Sequence, residues 1–268
     1  MKILKSYILF LCAAFVSMIC ASCEKVIDVS IQNVDKKYVI EGSITDNQNT
    51  CRVLVSQTID LADTNRFEGV SNAVITLQED NKPPVRLLET DKGIYRADMK
   101  GAPGHTYTLK VTVGNQTFTA SSVMPQKTQF DTLYITERVS FGKPRKIPTL
   151  EFQDPNGMGN AYRFVQYVNG RKENTIFITD DHLTNGRKVT YELLIFSNEA
   201  YLLQPGDHLR VEMYCIDHRN FDFWYSLSQG ALGQSQSASP ANPVTNLSGG
   251  ALGYFSAATF DSKNLEIE

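Results

Sequence analysis

Between Thr106 and Val113 the chain alternates strictly, Thr-Tyr-Thr-Leu-Lys-Val-Thr-Val. Tyr107, Leu109, Val111 and Val113 therefore share one face of an extended strand. The same period of two predicts strands over 38–45, 50–59, 73–79, 84–90, 93–98, 106–113 and 116–123. Turn formers separate them: Thr45-Asp-Asn-Gln-Asn, Glu79-Asp-Asn-Lys-Pro-Pro, Asp91-Lys-Gly and Gly114-Asn. Seven short strands in fewer than 90 residues, with no helical period among them, predict an immunoglobulin-like β-sandwich.

Pro125 marks a boundary, after which a second series begins: 129–138, 147–153, 161–168, 174–180, 187–196 and 208–216. Asp154-Pro-Asn-Gly, Asn169-Gly, Asn185-Gly and Pro205-Gly-Asp are strong turn sequences. They predict a second antiparallel sheet, curling into a barrel or a sandwich. One stretch has a different period. After Asp217, a residue suited to an N-cap, Phe221, Trp224, Tyr225, Leu227, Ser228 and Ala231 form one stripe. A helix is predicted near 218–231. Residues 229–250, rich in Gly, Ser, Gln and Pro, read as a long loop, with strands near 253–259 and at the C-terminus. The fold class is thus mainly all-β, with a sandwich over 37–125 and a second β-rich domain over 126–268. Residues 36–125 are expected to fold alone.

The N-terminus carries a different pattern. Lys2 and Lys5 precede an uncharged, almost wholly apolar run from Tyr7 to Ile19. That run is shorter than the roughly 20 residues a spanning helix needs, and it suits the core of a secretory signal. It ends in Ile19-Cys-Ala-Ser-Cys23, where Ala21 and Ser22 are small residues before a cysteine. This resembles the lipobox of bacterial lipoproteins, with Cys20 standing where an aliphatic residue is usual. Cys23 is the expected lipid-attachment residue; Cys20 follows bulky Ile19 and Cys12 follows Leu11. A plain secretory signal with a chance cysteine after it is the alternative. The reading gives a signal peptide over 1–22 and a lipidated tether over 23–36. Multiple acyl chains would make the attachment lasting.

Composition changes the picture in two ways. Cleavage before Cys23 removes two lysines and no acid, taking the formal charge from −3 to −5. An acidic chain without a basic run has no electrostatic means of holding nucleic acid. It also leaves Cys51 and Cys215 as the only other cysteines. Each alternates with apolar residues and reads as core-facing, behaving as a small hydrophobe; a single disulfide between them is the alternative.

Candidate chemistry is sparse. His105, His182, His208 and His218 stand in or beside predicted turns, none at zinc-ligand spacing. There is no Gly-x-Ser-x-Gly, no phosphate-binding glycine loop with lysine and no His-Glu-x-x-His. Asp180-Asp181 and Asp46 could be acids for glycoside hydrolysis, or solvated turn residues. Asp154, Asn156 and Asn160 could offer oxygens to Ca²⁺, although an Asp-led turn explains them too. Trp224, Tyr225, Tyr254 and Phe255 could stack on a ligand; for Phe221 and Trp224 packing of helix on sheet is the favoured reading. No catalytic residue, cofactor or metal ligand is assigned.

Several passages together carry a resemblance. They are Cys23-x-x-x-Ile-Asp, Tyr38-Val-Ile-Glu-Gly-Ser-Ile-Thr-Asp, Ala73-Val-Ile-Thr-Leu, Gly93-Ile-Tyr-Arg and Pro103-Gly-His-Thr-Tyr-Thr-Leu. Asp154-Pro-x-Gly, Tyr162-Arg-Phe and Asn242-Pro-Val-Thr-Asn-Leu-Ser-Gly-Gly-Ala-Leu-Gly-Tyr-Phe follow. The set resembles Bacteroidota lipoproteins grouped as domain of unknown function 4249. The resemblance implies accessory proteins of nutrient import, encoded near TonB-dependent outer-membrane receptors. It carries over no catalytic residues. Glu24 and Asp28, just after Cys23, resemble the export signal of surface lipoproteins and imply an outward-facing protein; a periplasm-facing one is the alternative. The expected function is a non-enzymatic outer-membrane accessory or binding partner of such an importer, with a small-molecule, glycan or peptide ligand. The rivals are a surface glycosidase or peptidase and a structural or adhesive envelope protein.

Overall fold

The computed structural model describes residues 36–59, 68–140, 142–195, 202–230 and 242–268. The signal segment, the lipobox with Cys12, Cys20 and Cys23, the tether up to residue 35, and loop residues 231–241 lie outside them. Residues 36–268 form one compact unit. No helix among the described residues is long and apolar enough to cross a membrane.

Seven strands come first: β1 (Tyr38–Thr45), β2 (Cys51–Gln57), β3 (Val74–Glu79), β4 (Val85–Asp91), β5 (Ile94–Ala97), β6 (Thr106–Val113) and β7 (Gln116–Val123). Their order is β1-β2-β5-β4 on one side and β3-β6-β7 on the other, the strand order of a constant-type immunoglobulin domain. β4 also pairs with β3, so the two faces join along one edge. Alternation decides what lies between them. Ile40, Ile44, Val53 and Val55 meet Ile75, Leu77, Leu109 and Val111 in one buried cluster. Buried Tyr107, near the start of β6, accepts a hydrogen bond from the Ala102 N–H at 2.7 Å. This is the tyrosine corner of such sandwiches.

The second series gives β8 (Phe130–Ser140), β9 (Lys143–Gln153), β10 (Ala161–Val168), β11 (Arg171–Lys172), β12 (Phe177–Asp180), β13 (Lys188–Glu192) and β14 (His208–Ile216). The helix α1 (His218–Gly230) and the strand β15 (Leu252–Glu266) close the chain. β13-β9-β8 is a separate sheet, packed on β10 and β14 through Phe152, whose ring centroid lies 4.6 Å from that of Tyr162. The described strands form a second sandwich, with no closed barrel. Asp217 caps α1 as its sequence position predicts, accepting from the Asn220 N–H at 2.9 Å. Its other oxygen accepts from Ser122 Oγ and from the Val123 N–H, which ties the end of β7 to the helix.

The C-terminal segment departs from expectation. Instead of two strands it makes a single strand of 15 residues. Asp261-Ser-Lys-Asn264 falls between the two expected strands, yet each of these residues has a partner on β14, from Met213 to Arg210. β15 runs antiparallel to β14 and parallel to β1, so one continuous sheet spans both sandwiches. Its two ends serve different cores. Phe255 and Ala257 are buried with the first, while Ile267, just beyond the strand, is buried with the second. The apolar clusters do change over near Pro125, but a fragment over 36–125 would lack Leu247, Ala251, Phe255 and Ala257. Cys51 and Cys215 are free and buried in separate clusters, as expected of core-facing residues. Burial pushes the Cys51 thiol up to about 12, which keeps it protonated and unreactive at neutral pH.

Gly253 shows how tight the joint is. It pairs with Ile40 and holds φ at +98°, a region side chains disfavour. A Cβ there would lie 2.1 Å from the Ile40 carbonyl oxygen. Gly253→Ala is therefore expected to cost about 3 kcal/mol, through backbone strain and a parted β1–β15 ladder. Thermal or urea unfolding of the variant checks this; an unchanged midpoint would show that the joint tolerates a side chain.

Candidate functional site

Strand parity places one set of side chains on the outer face of the continuous sheet. With Ile40, Val53, Tyr95 and Phe255 pointing inward, Arg52, Arg96 and Tyr254 point outward, as do Ser43 and Ser256. Register then aligns them. Arg96 lies opposite Arg52, Arg52 opposite Ser43, and Ser43 opposite Ser256, in one row across four strands. From the second sandwich, Arg163 on β10 lies opposite Tyr214 on β14. α1 packs over this face through Phe221 and Trp224, against Ala161, Ile216 and Ala258. Together they enclose a cleft of about 470 Å³, within the range of ligand pockets.

The cleft is basic in an acidic chain. Arg52, Arg96, Arg163 and Lys172 line it, with Glu41 as the carboxylate among the lining residues. None of the four cations makes an ion pair with a described residue. The Arg163 guanidinium carbon sits 3.7 Å from the Trp224 ring centroid and 6.0 Å from that of Tyr214. This cation–π stack holds the side chain in place without neutralising it. Burial draws the Arg163 pKa below its ordinary value. Burial, then the charge of Arg163, does the same to Lys172. Arg52 keeps a buried Nε with no hydrogen-bond partner. Like charges directly opposed across a ladder are destabilising, and unpaired buried charge costs more.

A larger cavity of about 590 Å³ is lined by Tyr167, His208 and Arg210 among others. There the charge is already answered: Arg210 pairs with Glu212 at 3.2 Å and lies over the Tyr167 ring. The basic cleft is the better candidate.

The residues singled out in the sequence are dispersed. His105 contacts Asp80 at 2.5 Å and Glu79 at 3.3 Å, a grouping that spacing did not reveal because Glu79 ends β3, with Asp80 next to it, while His105 stands just before β6. Lys82, 2.7 Å from Glu79, joins it, and Asp80 also accepts from the Thr106 N–H, so the group locks a turn. His182 lies beside Asp180, and His218 meets Phe221 edge-on. Asp181 is buried and clamps the 157–160 loop, accepting from the Gly159 and Asn160 N–H groups at 2.8 and 2.9 Å. Asp154 receives the Tyr162 hydroxyl and the Gly186 N–H, and the Asn160 amide donates to the Gly157 carbonyl. These oxygens and amides hold the loop. Asp46 accepts from the Phe260 N–H at 2.7 Å and serves the β1–β15 joint. Of the candidate stacking residues, Trp224 and Tyr254 line the cleft, Phe255 is core and Tyr225 stacks on Phe221. The cleft arginines are the residues that motif reasoning missed. The readable signal was their parity: each stands between inward-facing residues on its strand, as in Cys51-Arg52-Val53 and Tyr162-Arg163-Phe164.

The class is thus an all-β protein of two joined sandwiches with a basic, aromatic-walled cleft at their shared sheet. Within that class, the chain belongs to the family described as Domain of unknown function (DUF4249), which matches residues 24–264. No curated protein matches the chain.

If the row of cations serves a ligand rather than the fold, removing one should stabilise the free protein. Arg52→Met keeps the aliphatic stem, removes the repulsion from Arg96 and leaves no buried Nε. It is expected to raise stability by about 1 kcal/mol. Denaturant unfolding measures this; a clear loss of stability would assign Arg52 to the fold.

Proposed function

We propose that the protein is a non-enzymatic outer-membrane lipoprotein, anchored through Cys23 and facing outward, that binds a ligand as the accessory of a TonB-dependent importer. The observation that carries the binding part is the basic, aromatic-walled cleft, whose charges await a counter-charge. Arginine and aromatic faces are groups that hold and orient a ligand. Glycoside hydrolysis would ask for two carboxylates about 5–10 Å apart, and the lining contributes Glu41. The lipobox at 19–23, the acids after Cys23 and the family resemblance support the anchor, the orientation and the importer.

The full chain, isolated from native outer membranes under mild detergent, is expected to bring a β-barrel importer with it, identified by mass spectrometry. Cys23→Ala is expected to leave the outer-membrane fraction, either released or held uncleaved in the inner membrane, and to bring no importer. Brief protease treatment of intact cells should remove the wild-type chain while a periplasmic control survives. An importer-free wild type would refute the accessory role. A Cys23→Ala variant that still fractionates with the outer membrane like wild type would refute the lipid anchor, and full protection in intact cells the outward orientation.

A further inference from the structure

Three features of the cleft go beyond its being a pocket. The first is the charge imbalance: Arg52, Arg96, Arg163 and Lys172 face Glu41. In a chain with 26 basic and 29 acidic residues, that is a local excess which composition does not supply. The second is the arrangement. Arg52 and Arg96 are cross-strand partners; Lys172 lies opposite Tyr167, which shares a strand face with Arg163, and Arg163 and Lys172 both line the cleft, so the cations stand as two pairs. The Glu212 carboxylate, already bonded to Arg210 and Tyr214, is felt by Arg163 and Lys172 but forms no ion pair with either. The third is preorganisation. Arg163 is stacked on Trp224 in the unliganded protein, so the entropy of fixing its long side chain is already spent before a ligand arrives. Guanidinium groups offer planar forks of N–H donors that match the two oxygens of a carboxylate, sulfate or phosphate.

We propose that this cleft binds a small ligand carrying at least two oxoanion groups, one held by Arg52 and Arg96 and the other by Arg163 and Lys172. The inference rests on the ligand-binding reading above and names its chemistry. Ser43 and Ser256, in the same row as the first pair, add hydroxyls that can donate to oxygen. Tyr254, 5.0 Å from Trp224 between ring centroids, adds an aromatic wall beside the second. Glu41 and Glu212 answer part of this charge, so an uncharged ligand would leave an excess of cations, and a ligand with two anionic groups would engage both pairs.

The test uses the full chain in detergent, titrated calorimetrically with citrate, inorganic pyrophosphate, a disulfated disaccharide and, as an uncharged control, maltose. At least one of the three anions is expected to bind and to raise the melting temperature, with affinity falling as salt rises. Which anion binds best separates a carboxylate from a phosphate or sulfate source. Arg163→Gln and Arg52→Gln should each weaken that binding about tenfold or more while far-UV spectrum and cooperative melting persist. Maltose binding as tightly as the anions, anion binding that ignores both substitutions, or no anion binding at all would overturn the proposal. These outcomes leave the accessory reading standing if the importer still co-purifies. Conversely, anion binding without an importer keeps the site and removes the accessory role.

Discussion

The structure depends on one strand that belongs to two sandwiches. β15 lies parallel to β1 and antiparallel to β14, and its inward residues fill one core at one end and the other core at the far end. Each ladder demands that the strand keep its register, because a slip by one residue would turn Phe255 outward and Tyr254 inward. Gly253 enforces the register on one side, where no Cβ fits against Ile40. Ser122 reinforces it from β7, its hydroxyl accepting from the Ala257 N–H at 2.9 Å. The same hydroxyl donates to Asp217, so the helix cap, the last strand of the first sandwich and β15 share one buried polar network. Such networks specify a unique arrangement when their members are satisfied.

The cleft is a consequence of that joint. Its floor is the outer face of the sheet that β15 makes continuous, and its cations come from β2 and β5 on one side and β10 and β11 on the other. Neither sandwich alone would bring Arg52 and Arg163 to one opening. The arrangement also explains why α1 interrupts an otherwise β-rich chain. The helix covers the apolar patch of Ala161, Ile216 and Ala258 and places Trp224 where it can hold Arg163. A row of unpaired cations lowers stability, and the large apolar cores behind the two ends of the sheet can carry that cost.

Much of the fold was legible because half-buried antiparallel strands write their alternation into the chain. β1, β6, β7, β10 and β14 begin and end where the period of two predicts. Asn169-Gly170 makes its turn with both residues at positive φ, as that pair does in hairpins. The last strand was misread for an equally physical reason. Its second half pairs on β14 with polar side chains such as Ser262 and Lys263, and polarity imitates a turn when only one face is buried. β11, two residues long, is too short to show a period. The candidate site was not legible as a motif. Its residues lie at 41, 52, 96, 163, 172, 224 and 254, and long-range register rather than sequence spacing collects them. Local motifs such as Asp154-Pro-Asn-Gly drew the eye to groups that the fold uses to secure its own loops.

The central claim is that β15 makes the two sandwiches one cooperative structure. Differential scanning calorimetry of the full chain tests it most directly. The account predicts a single transition in which the calorimetric and van 't Hoff enthalpies agree. Two resolved transitions, one for each apolar core, would contradict it.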